Sequence, residues 1–476
     1  MAASESPTSW RELFTRENMP PLITLSLGVV LHAFNGFLVA TALPTAVLEI
    51  GGIQFMSWSF TVYLVLSIVG GAGAARLKQM VGGRQAMVLP ALVFLAGTLI
   101  AGFAPSMPVF LVGRALQGIG EGTISALCYL FIPVLFPSRL IARVFGVEAM
   151  MWALGSFGGP VIAGILTETV SWRMAFFVNV PVALLFLGLV TRFVPADPGS
   201  PDPKAKTVPL GRLAGSGVGI MLVAVAAISG DTMSAALLIL GAFAILVGVF
   251  VFDRRRPDRL FPSDAFALTT TVGMGLWMIL LMPIAHSPVS TFLNISIQNL
   301  WGYAPTAAGL IHATMALSWS GSALLIAGVD SPRRRLALIR LGPVLVVSGL
   351  TGILLAIRHD VPWMVVPCQI LIGAGFGGCW SFLSQAIMEA ARPGERDLAS
   401  TMLQTVLSSG FALGAAIAGL AVNSAGFAPQ LGAEGIVQPM TRAILIGVSI
   451  GAFAILAAFG VRLKPKVEDP PPAAGR

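Results

Sequence analysis

The chain has 476 residues, of which 56% are hydrophobic and 11% are charged. No soluble core of this size holds so many apolar side chains, so the composition excludes a soluble protein and predicts a membrane protein. The formal net charge of +8 would suit a nucleic-acid partner, but the positions of the basic residues argue against that class of function.

Fourteen apolar segments, each long enough to cross the hydrocarbon core of a bilayer as a helix, follow one another along the chain. With both chain ends on one side of the membrane, that side receives all 29 Lys and Arg residues except Arg114, Arg173, Arg358 and Arg442. This asymmetry follows the positive-inside rule, so both termini are predicted to be cytoplasmic and no nucleic-acid partner is expected. The predicted spans cover approximately residues 21-45, 55-76, 86-104, 107-135, 143-167, 174-194, 210-229, 234-252, 268-290, 304-328, 336-357, 362-390, 399-422 and 440-462.

The N-terminal residues 1-20 are polar and lack the short apolar core and cleavage site of a signal peptide, so no cleaved signal is predicted. Span 1 carries His32 and Asn35 about one turn apart. Because imidazole titrates near neutral pH, His32 is a candidate proton carrier, with simple packing in the bundle as the alternative.

Span 4 carries three polar side chains, Arg114, Gln117 and Glu121, at positions i, i+3 and i+7. This spacing places them on one stripe of a helix whose other faces are apolar. An ionisable group at the centre of a membrane costs about 2.5 to 3.5 kcal/mol, so the stripe must face the protein interior or a water-filled cavity. It either lines a functional, water-filled cavity or, with Arg114 held near the interface, only ties helices together.

Span 5 contributes a further acid, Glu148, near its cytoplasmic third. A buried carboxyl group can exchange a proton near physiological pH, which makes Glu121 and Glu148 candidates for proton coupling. Arg114 lies two turns, roughly 10 Å, from Glu121, so a direct bond that neutralises the acid permanently is not expected. Span 5 also has a face without side chains that permits close helix approach. The residues of this face, with its one proline, are Gly155, Gly159, Pro160 and Gly164.

After span 6, residues 191-212 are rich in Pro, Asp and Lys and are predicted to form a cytoplasmic linker. Spans 7 and 8 carry no charged residue between Arg212 and Asp253 except Asp231, so they are expected to face lipid or to pack, outside the transport path. The three cysteines lie inside spans without disulfide or metal spacing, and neither a metal nor a cofactor is expected.

The second half of the chain repeats the first. GIGEG at 118-122 matches GAGFG at 373-377, and GPVIAG at 159-164 matches GAAIAG at 414-419, at the same offset and without a gap. Such duplication is typical of transporters built from two bundles. Glutamate in the first repeat becomes phenylalanine in the second, so ionisable groups concentrate in the first bundle.

Candidates for a cavity wall, each with packing as the alternative, are Asn35, Gln298, His312, Trp319 and Trp380.

Several of these stretches resemble motifs of the major facilitator superfamily, in its fourteen-helix drug:proton antiporter branch. Residues 114-120 resemble the RxxQGxG motif of the fourth helix, and residues 155-164 resemble the glycine-proline antiporter motif of the fifth. Three further stretches also resemble segments of that branch. They are LVATALPTAVLEIGG at 38-52, SWRMAFFVNVP at 171-181 and IQNLWGYAPTAAGL at 297-310. These matches spread over nearly the whole chain.

The resemblance implies an all-α integral membrane protein with the major facilitator fold, in which two six-helix bundles flank two inserted helices. The implied parts are a cytoplasmic segment 1-20, a first bundle 21-194, a linker with the inserted helices 195-267, a second bundle 268-462 and a cytoplasmic tail 463-476.

Two places depart from the family pattern. Asn35 stands where the family usually has an aspartate that is proposed to take part in ion coupling, which argues against a proton carrier at that position. In the loop after span 2, Gly82 and Arg84 fit the family's gating motif, but its first glycine is Ala75 and its aspartate is Gln79. Latching of the bundles by charges of this loop is therefore expected to be weak.

The implied function is proton-coupled export of amphipathic small molecules or drugs across the cytoplasmic membrane, by alternating access in a monomer surrounded by lipid. In this mechanism Arg114 organises the cavity, Glu121 or Glu148 exchanges a proton for substrate, and the glycine-proline face of span 5 forms the moving seam. One alternative is a selective or uncoupled transporter of a metabolite or lipid. A membrane-embedded sensor or enzyme would be a different class, and the motifs of common enzyme classes are not found in the sequence.

Overall fold

The computed structural model is a bundle of long helices, which carry here the numbers of the predicted spans. The helices are α1 (Met19–Ile50), α2 (Met56–Val81), α3 (Gly83–Gly102), α4 (Met107–Leu135), α5 (Ile141–Thr169), α6 (Trp172–Phe177 and Asn179–Phe193), α7 (Leu210–Ile228), α8 (Thr232–Arg254), α9 (Thr271–Trp301), α10 (Pro305–Ile326), α11 (Pro332–Arg358), α12 (Val365–Ala390), α13 (Arg396–Asn423) and α14 (Ala433–Gly460). The residues that the structure describes are 10–52, 55–196, 209–228, 231–256, 258–303, 305–428 and 431–463.

Thirteen helices in the described part of the chain are long and apolar enough to cross a membrane. The remaining predicted span, α7, has a shorter apolar stretch, Leu210–Val223. Helices suit a lipid environment because they satisfy their backbone hydrogen bonds internally. The predictions for the first nine residues, for most of the linker and for the C-terminal tail fall on residues 1–9, 197–208 and 464–476, which lie outside the described part.

Four helices form the centre of the molecule, because the spans of α1, α4, α9 and α12 are the most buried. In the first bundle α4 packs on α2 and α3, and in the second α12 packs on α10 and α11. The crossings are close in both. A methyl group added to Gly122 would lie 2.0 Å from the carbonyl oxygen of Ser67, and one added to Gly377 would lie 2.1 Å from that of Trp319. Both bundles therefore use the repeated glycines for helix contact.

The two bundles meet at the end of the molecule where α2 ends and α13 begins, which we call the basic end. Nζ of Lys78 lies 2.6 Å from Oδ2 of Asp397. Nearby, Nε2 of Gln385 on α12 donates a hydrogen bond of 3.2 Å to the carbonyl of Ser138, between α4 and α5. An ion pair thus links the bundles although Gln79 replaces the loop aspartate, and weak latching by this loop stays a prediction. The lysine beside the missing loop aspartate supplies the charge, and the partner carboxylate comes from the other bundle.

The inserted helices lie against both bundles. Helix α7 packs on α2 of the first bundle and on α13 of the second. The side chain of Arg212 on α7 donates a 2.6 Å hydrogen bond to Oδ1 of Asp253 on α8 and also pairs with Asp258. The backbone amide and the hydroxyl of Ser263 then donate to Glu395, just before α13. Ion pairs thus hold the insert together, and the hydrogen bonds to Glu395 fasten its end to the second bundle.

Candidate transport site

Glu121 is the centre of the polar contacts in the first bundle, and its side chain is fully buried on α4. Nδ2 of Asn35 on α1 donates a hydrogen bond of 2.7 Å to Oε2 of Glu121. Nδ1 of His32, about one turn earlier on α1, lies 3.3 Å from Oε1 of Glu121. The structure thus joins two of the predicted proton carriers and the neutral asparagine in one contact group across α1 and α4.

Arg114 lies two turns from Glu121 on the same helix and is also fully buried. Its Nη1 donates a 2.7 Å hydrogen bond to Oε1 of Gln117, and Nε2 of Gln117 donates one of 2.9 Å to Oγ1 of Thr98 on α3. Its Nε donates a 3.3 Å hydrogen bond to the carbonyl of Ser59 on α2. Among the described residues no ion pair joins Arg114 to Glu121, in agreement with their spacing.

Tyr63 on α2 connects the arginine with the acid. Its ring centre lies 4.1 Å from Cζ of Arg114, a cation–π contact, and its hydroxyl oxygen lies 3.5 Å from Nδ1 of His32. On the far side of the acid, Nδ2 of Asn179 on α6 lies 3.5 Å from Oδ1 of Asn35. Sequence reasoning missed Tyr63 and Asn179. Each is a polar side chain in an otherwise apolar span, and this was the sequence signal that could have identified it.

Glu148 occupies a separate position on α5 and is 1% exposed. Its Oε1 accepts a 3.1 Å hydrogen bond from Oγ of Ser26 on α1, while its Oε2 has no hydrogen-bond partner among the described residues. Ser26 precedes His32 by six residues, about 9 Å along a helix. Trp152, one turn after Glu148, meets the His32 ring edge-on with 5.2 Å between ring centres. Glu121 on α4 and Glu148 on α5 therefore contact α1 at different depths.

The glycine-proline face of α5 is partly a packing surface. A methyl group added to Gly155 would lie 2.6 Å from Cβ of Ala33, so α5 crosses α1 closely at this point. Gly159 is buried as well, whereas a methyl group added to Gly164 would meet nothing within 4 Å. Helix α5 continues through Pro160 as one element.

Residues of the predicted gating motif fix the basic end of the first bundle. Gly82 joins α2 to α3 with a φ of +82°, in the left-handed region that favours glycine. Nε of Arg84 donates a 3.0 Å hydrogen bond to the carbonyl of the residue that follows α6. Beyond the other end of the same bundle, Arg173 and Trp172 donate hydrogen bonds to Glu49, and these contacts lower the pKa of Glu49.

The two candidate tryptophans occupy different places in the second bundle. Trp319 on α10 is half-buried and stacks on Phe376 of α12, with 4.7 Å between ring centres. Trp380 is buried and meets Tyr129 of α4 edge-on at 6.4 Å. Only the second of these contacts spans the two bundles, so Trp380 is a residue of the central seam.

The remaining predicted residues lie farther from the basic end. His312 is partly exposed on α10, two turns after the helix begins. Gln298 lies in the last turn of α9, where its Nε2 is 3.3 Å from the carbonyl oxygen of Asn294. In the described part of the chain no group of three or more His, Cys, Asp or Glu side chains could hold a metal ion. The structure thus assembles one polar group of Glu121, His32 and Asn35, which Tyr63 connects to the buried Arg114.

Comparison with known proteins identifies relatives of this chain. The family model described as "Major Facilitator Superfamily" matches residues 25–214. The chain is 31% identical to a protein of Mycobacterium tuberculosis (strain ATCC 25618 / H37Rv) named "Probable multidrug-efflux transporter", over 95% of each chain. It is 26% identical to "Multidrug resistance protein 3" of Bacillus subtilis (strain 168), over 84% of this chain and 78% of that protein.

A solved structure shares the fold. The crystal structure of a human organic anion transporter superposes with a TM-score of 0.67 at 15% identity, over 94% of this chain and all of the other. The predicted fold class, two bundles with inserted helices in an all-α membrane protein, is thereby confirmed.

Proposed function

Because this chain belongs to the major facilitator superfamily and is a membrane transporter of the multidrug-efflux type, we propose that it exports amphipathic small molecules in exchange for protons. We place it in the cytoplasmic membrane as a monomer with both termini inside, following the positive-inside pattern. The bundles retain the proposed limits 21–194 and 268–462, with the insert between them.

The fully buried carboxyl group of Glu121 is the observation that carries the proposal. An ionised Glu121 accepts the hydrogen bond of Asn35 and balances the Arg114 cation on the same helix. A protonated Glu121 leaves that buried cation without a balancing negative charge, which is unfavourable. Binding or releasing one proton therefore changes the net charge of the site, and a cationic amphiphile competes with the proton for the same negative charge.

His32 suits the transfer of the proton between this acid and water. Its side chain is 11% exposed, whereas that of Glu121 is fully buried. Imidazole can accept and donate a proton near neutral pH, and Nδ1 of His32 lies beside both Glu121 and the hydroxyl of Tyr63. Glu148, held by Ser26 nearer the basic end, is the second acid of the proposed proton path.

The contacts at the basic end support an alternating-access cycle. With cytoplasmic termini the basic end faces the cytoplasm, so the Lys78–Asp397 pair belongs to a state closed on that side. On the α5 side, Oγ of Ser320 on α10 donates a 2.7 Å hydrogen bond to the carbonyl of Ala149. Rocking of the bundles breaks these contacts and exposes the cavity to the cytoplasm. One proton entering down the membrane potential supplies about 2.3 kcal/mol per 100 mV, enough for a modest substrate gradient.

The rest of the proposed cavity combines polar and aromatic side chains. Arg114 and Gln117 organise its electrostatics from the first bundle, while Trp319 and Trp380 offer aromatic surface from the second. Gln298 and His312 lie towards the exit side. Aromatic rings with few fixed polar groups suit binding of varied amphiphiles.

An uncoupled or selective transporter is the second candidate, and the neutral Asn35 in place of an acid favours it. In that case Asn35 and His32 would only hold Glu121 in position, and the carboxyl would keep one protonation state throughout the cycle. The two candidates differ in whether substrate movement carries protons.

The test uses purified protein in liposomes with an imposed pH gradient and an internal pH indicator. Tetraphenylphosphonium, a neutral amphiphile and an anionic metabolite are added in turn to wild type, Glu121→Gln and Glu148→Gln. The matched control is Glu168→Gln, an exposed acid of the same helix as Glu148.

Proton-coupled export predicts proton movement that depends on substrate and falls at least tenfold in Glu121→Gln, with Glu168→Gln unchanged. Transport of substrate without proton movement, equal in all variants, would contradict the antiport proposal and leave the uncoupled transporter. Proton movement lost only in Glu148→Gln would move the coupling site from α4 to α5.

A further inference from the structure

A second group of polar side chains, with buried atoms that have no hydrogen-bond partner among the described residues, lies in the C-terminal bundle. His286, in the middle of α9, is 3% exposed, and neither ring nitrogen has a hydrogen-bond partner among the described residues. Nδ1 of His312 on α10 and Oε1 of Gln369 on α12 also have no hydrogen-bond partner among the described residues. The Gln369 residue is fully buried. Buried polar atoms normally have partners, because an unmade hydrogen bond in an apolar setting is unfavourable.

These three residues lie on helices that pack against one another. Nε2 of Gln369 lies 3.5 Å from the carbonyl oxygen of His312, which brings α12 against α10. Helix α9, which carries His286, packs against both α10 and α12. The free acceptor of Gln369 and the free nitrogens of both histidines therefore belong to one region, which three different helices line.

An aromatic surface adjoins this region. The ring of His286 meets that of Phe376 edge-on at 5.8 Å, and the other neighbour of Phe376 is Trp319, stacked at an interplanar angle of 13°. Trp319 follows His312 by seven residues, and Phe376 follows Gln369 by seven, so His312 and Gln369 lie roughly 10 Å along their helices from the aromatic pair that His286 adjoins. That distance matches the length of a small aromatic molecule with one polar substituent.

The group also differs in charge from the site in the first bundle. At the offset of the repeat, Gln369 takes the place of Arg114 and Phe376 takes the place of Glu121. The counterparts of the buried cation and the buried acid are thus both uncharged. A neutral imidazole has one donor and one acceptor, and the free oxygen of Gln369 accepts. A ligand hydroxyl, which both donates and accepts, satisfies such a set.

We propose that His286, His312 and Gln369 form a substrate subsite that takes a hydroxyl group, or an amide of similar hydrogen-bonding character, on an aromatic ring packed near Trp319. The inference rests on the proposed export function, since it assigns a part of the substrate to the second bundle. The first bundle then senses the charge of the substrate, and the second senses its uncharged polar groups.

Binding in detergent, without any proton gradient, tests this division. The two probes are tetraphenylphosphonium and (4-hydroxyphenyl)triphenylphosphonium, used in a buffer acidic enough to keep the phenol protonated, so that they have the same charge and differ by one hydroxyl. Dissociation constants are measured by calorimetry for wild type, His286→Phe and Gln369→Leu, each checked for an unchanged melting temperature. The matched control is His359→Gln, an exposed histidine just after α11.

The subsite predicts that His286→Phe or Gln369→Leu weakens binding of the hydroxylated cation about tenfold and changes that of the parent cation less than twofold. An unchanged ratio of the two affinities, or equal losses for both probes, would overturn the subsite. Wild-type protein that binds both cations equally would overturn it as well, while export remains possible. Wild type that binds neither cation would overturn both the subsite and the export of amphipathic cations.

Discussion

The fourth helix of the first bundle and its counterpart in the second share a backbone but not a chemistry. On α4 the buried stripe carries Arg114 and Glu121, whereas α12 has Gln369 and Phe376 at the matching positions. The glycines beside these stripes are repeated and make equivalent close crossings. Helix packing thus depends on the repeated glycines, and the polar chemistry depends on the stripe residues. The stripe residues could therefore change after duplication while the packing stayed the same.

The energetics of burial explain why, among the described residues, the central stripe carries charges in the first bundle and none at the matching positions of the second. Each buried charge in a membrane needs polar partners, and Arg114 has Gln117, the Ser59 carbonyl and the Tyr63 ring. The second bundle stacks Trp319 on Phe376 in the corresponding region. A cation placed there would meet aromatic and amide groups without a carboxylate at the position of the acid.

Exchanging the two stripe residues should produce the largest effect. Gln369→Arg buries a cation beside Phe376, and we expect it to lower the free energy of unfolding by about 2.5 to 3.5 kcal/mol. Arg114→Gln removes the cation that Glu121 balances, and we expect substrate-driven proton movement to fall at least tenfold. Thermal unfolding in detergent and the liposome assay measure the two effects.

The control for the exchange is Gln298→Arg, which adds the same cation in the last turn of α9, towards the membrane surface. It should leave stability nearly unchanged. Equal stability of Gln369→Arg and Gln298→Arg would show that the second bundle accommodates a central cation. The contrast between the bundles would then not arise from burial.

Adding one methyl group to a repeated glycine should have an intermediate effect, and it should be similar in both bundles. In Gly122→Ala and Gly377→Ala the new Cβ would lie 2.0 and 2.1 Å from backbone carbonyl oxygens. Overpacking of this kind costs about 1 to 3 kcal/mol. We expect both variants to unfold at lower temperature in detergent by comparable amounts.

Gly378→Ala is the matched control, because its Cβ would meet nothing within 4 Å although it follows Gly377 directly. It should be neutral or slightly stabilising, since alanine favours a helix over glycine. A loss of stability in Gly122→Ala without one in Gly377→Ala would refute the shared packing plan.

The sequence predicted the helices and the buried stripe well, because hydropathy and helical spacing depend on residues near one another in the chain. It predicted neither the contact of Tyr63 with both Arg114 and His32 nor the hydrogen bond from Asn35 to Glu121. Those contacts depend on how α1, α2 and α4 are rotated against one another. Hydropathy does not determine such rotations.

The second bundle shows the same limit. His286 is one polar residue in a long apolar span, and the sequence does not indicate that three helices bring it near His312 and Gln369. Likewise the loop motif directed attention to Gln79, whereas the ion pair uses the preceding residue, Lys78. Which of two adjacent side chains reaches the other bundle is decided by the position of α13.

The ion pair between the bundles should produce the smallest effect. Lys78 and Asp397 are 15% and 28% exposed, and pairs at such positions contribute about 0 to 1 kcal/mol. We expect Lys78→Gln and Asp397→Asn each to raise the population open at the basic end by no more than about fivefold. Spin labels on α2 and α13 report that population as a distance distribution.

The double variant separates this pair from other effects of the two residues. Asp397 also lies in the first turn of α13, where a negative charge interacts favourably with the helix dipole. If the two side chains interact, the free energy of opening changes less in the double variant than the sum of its changes in the two single variants. Adding 1 M salt should remove this difference, because salt screens the pair. Strict additivity at low salt would mean that the 2.6 Å contact does not hold the bundles together. Closure at the basic end would then rest on uncharged contacts, such as those of Gln385 with the Ser138 carbonyl and of Ser320 with the Ala149 carbonyl.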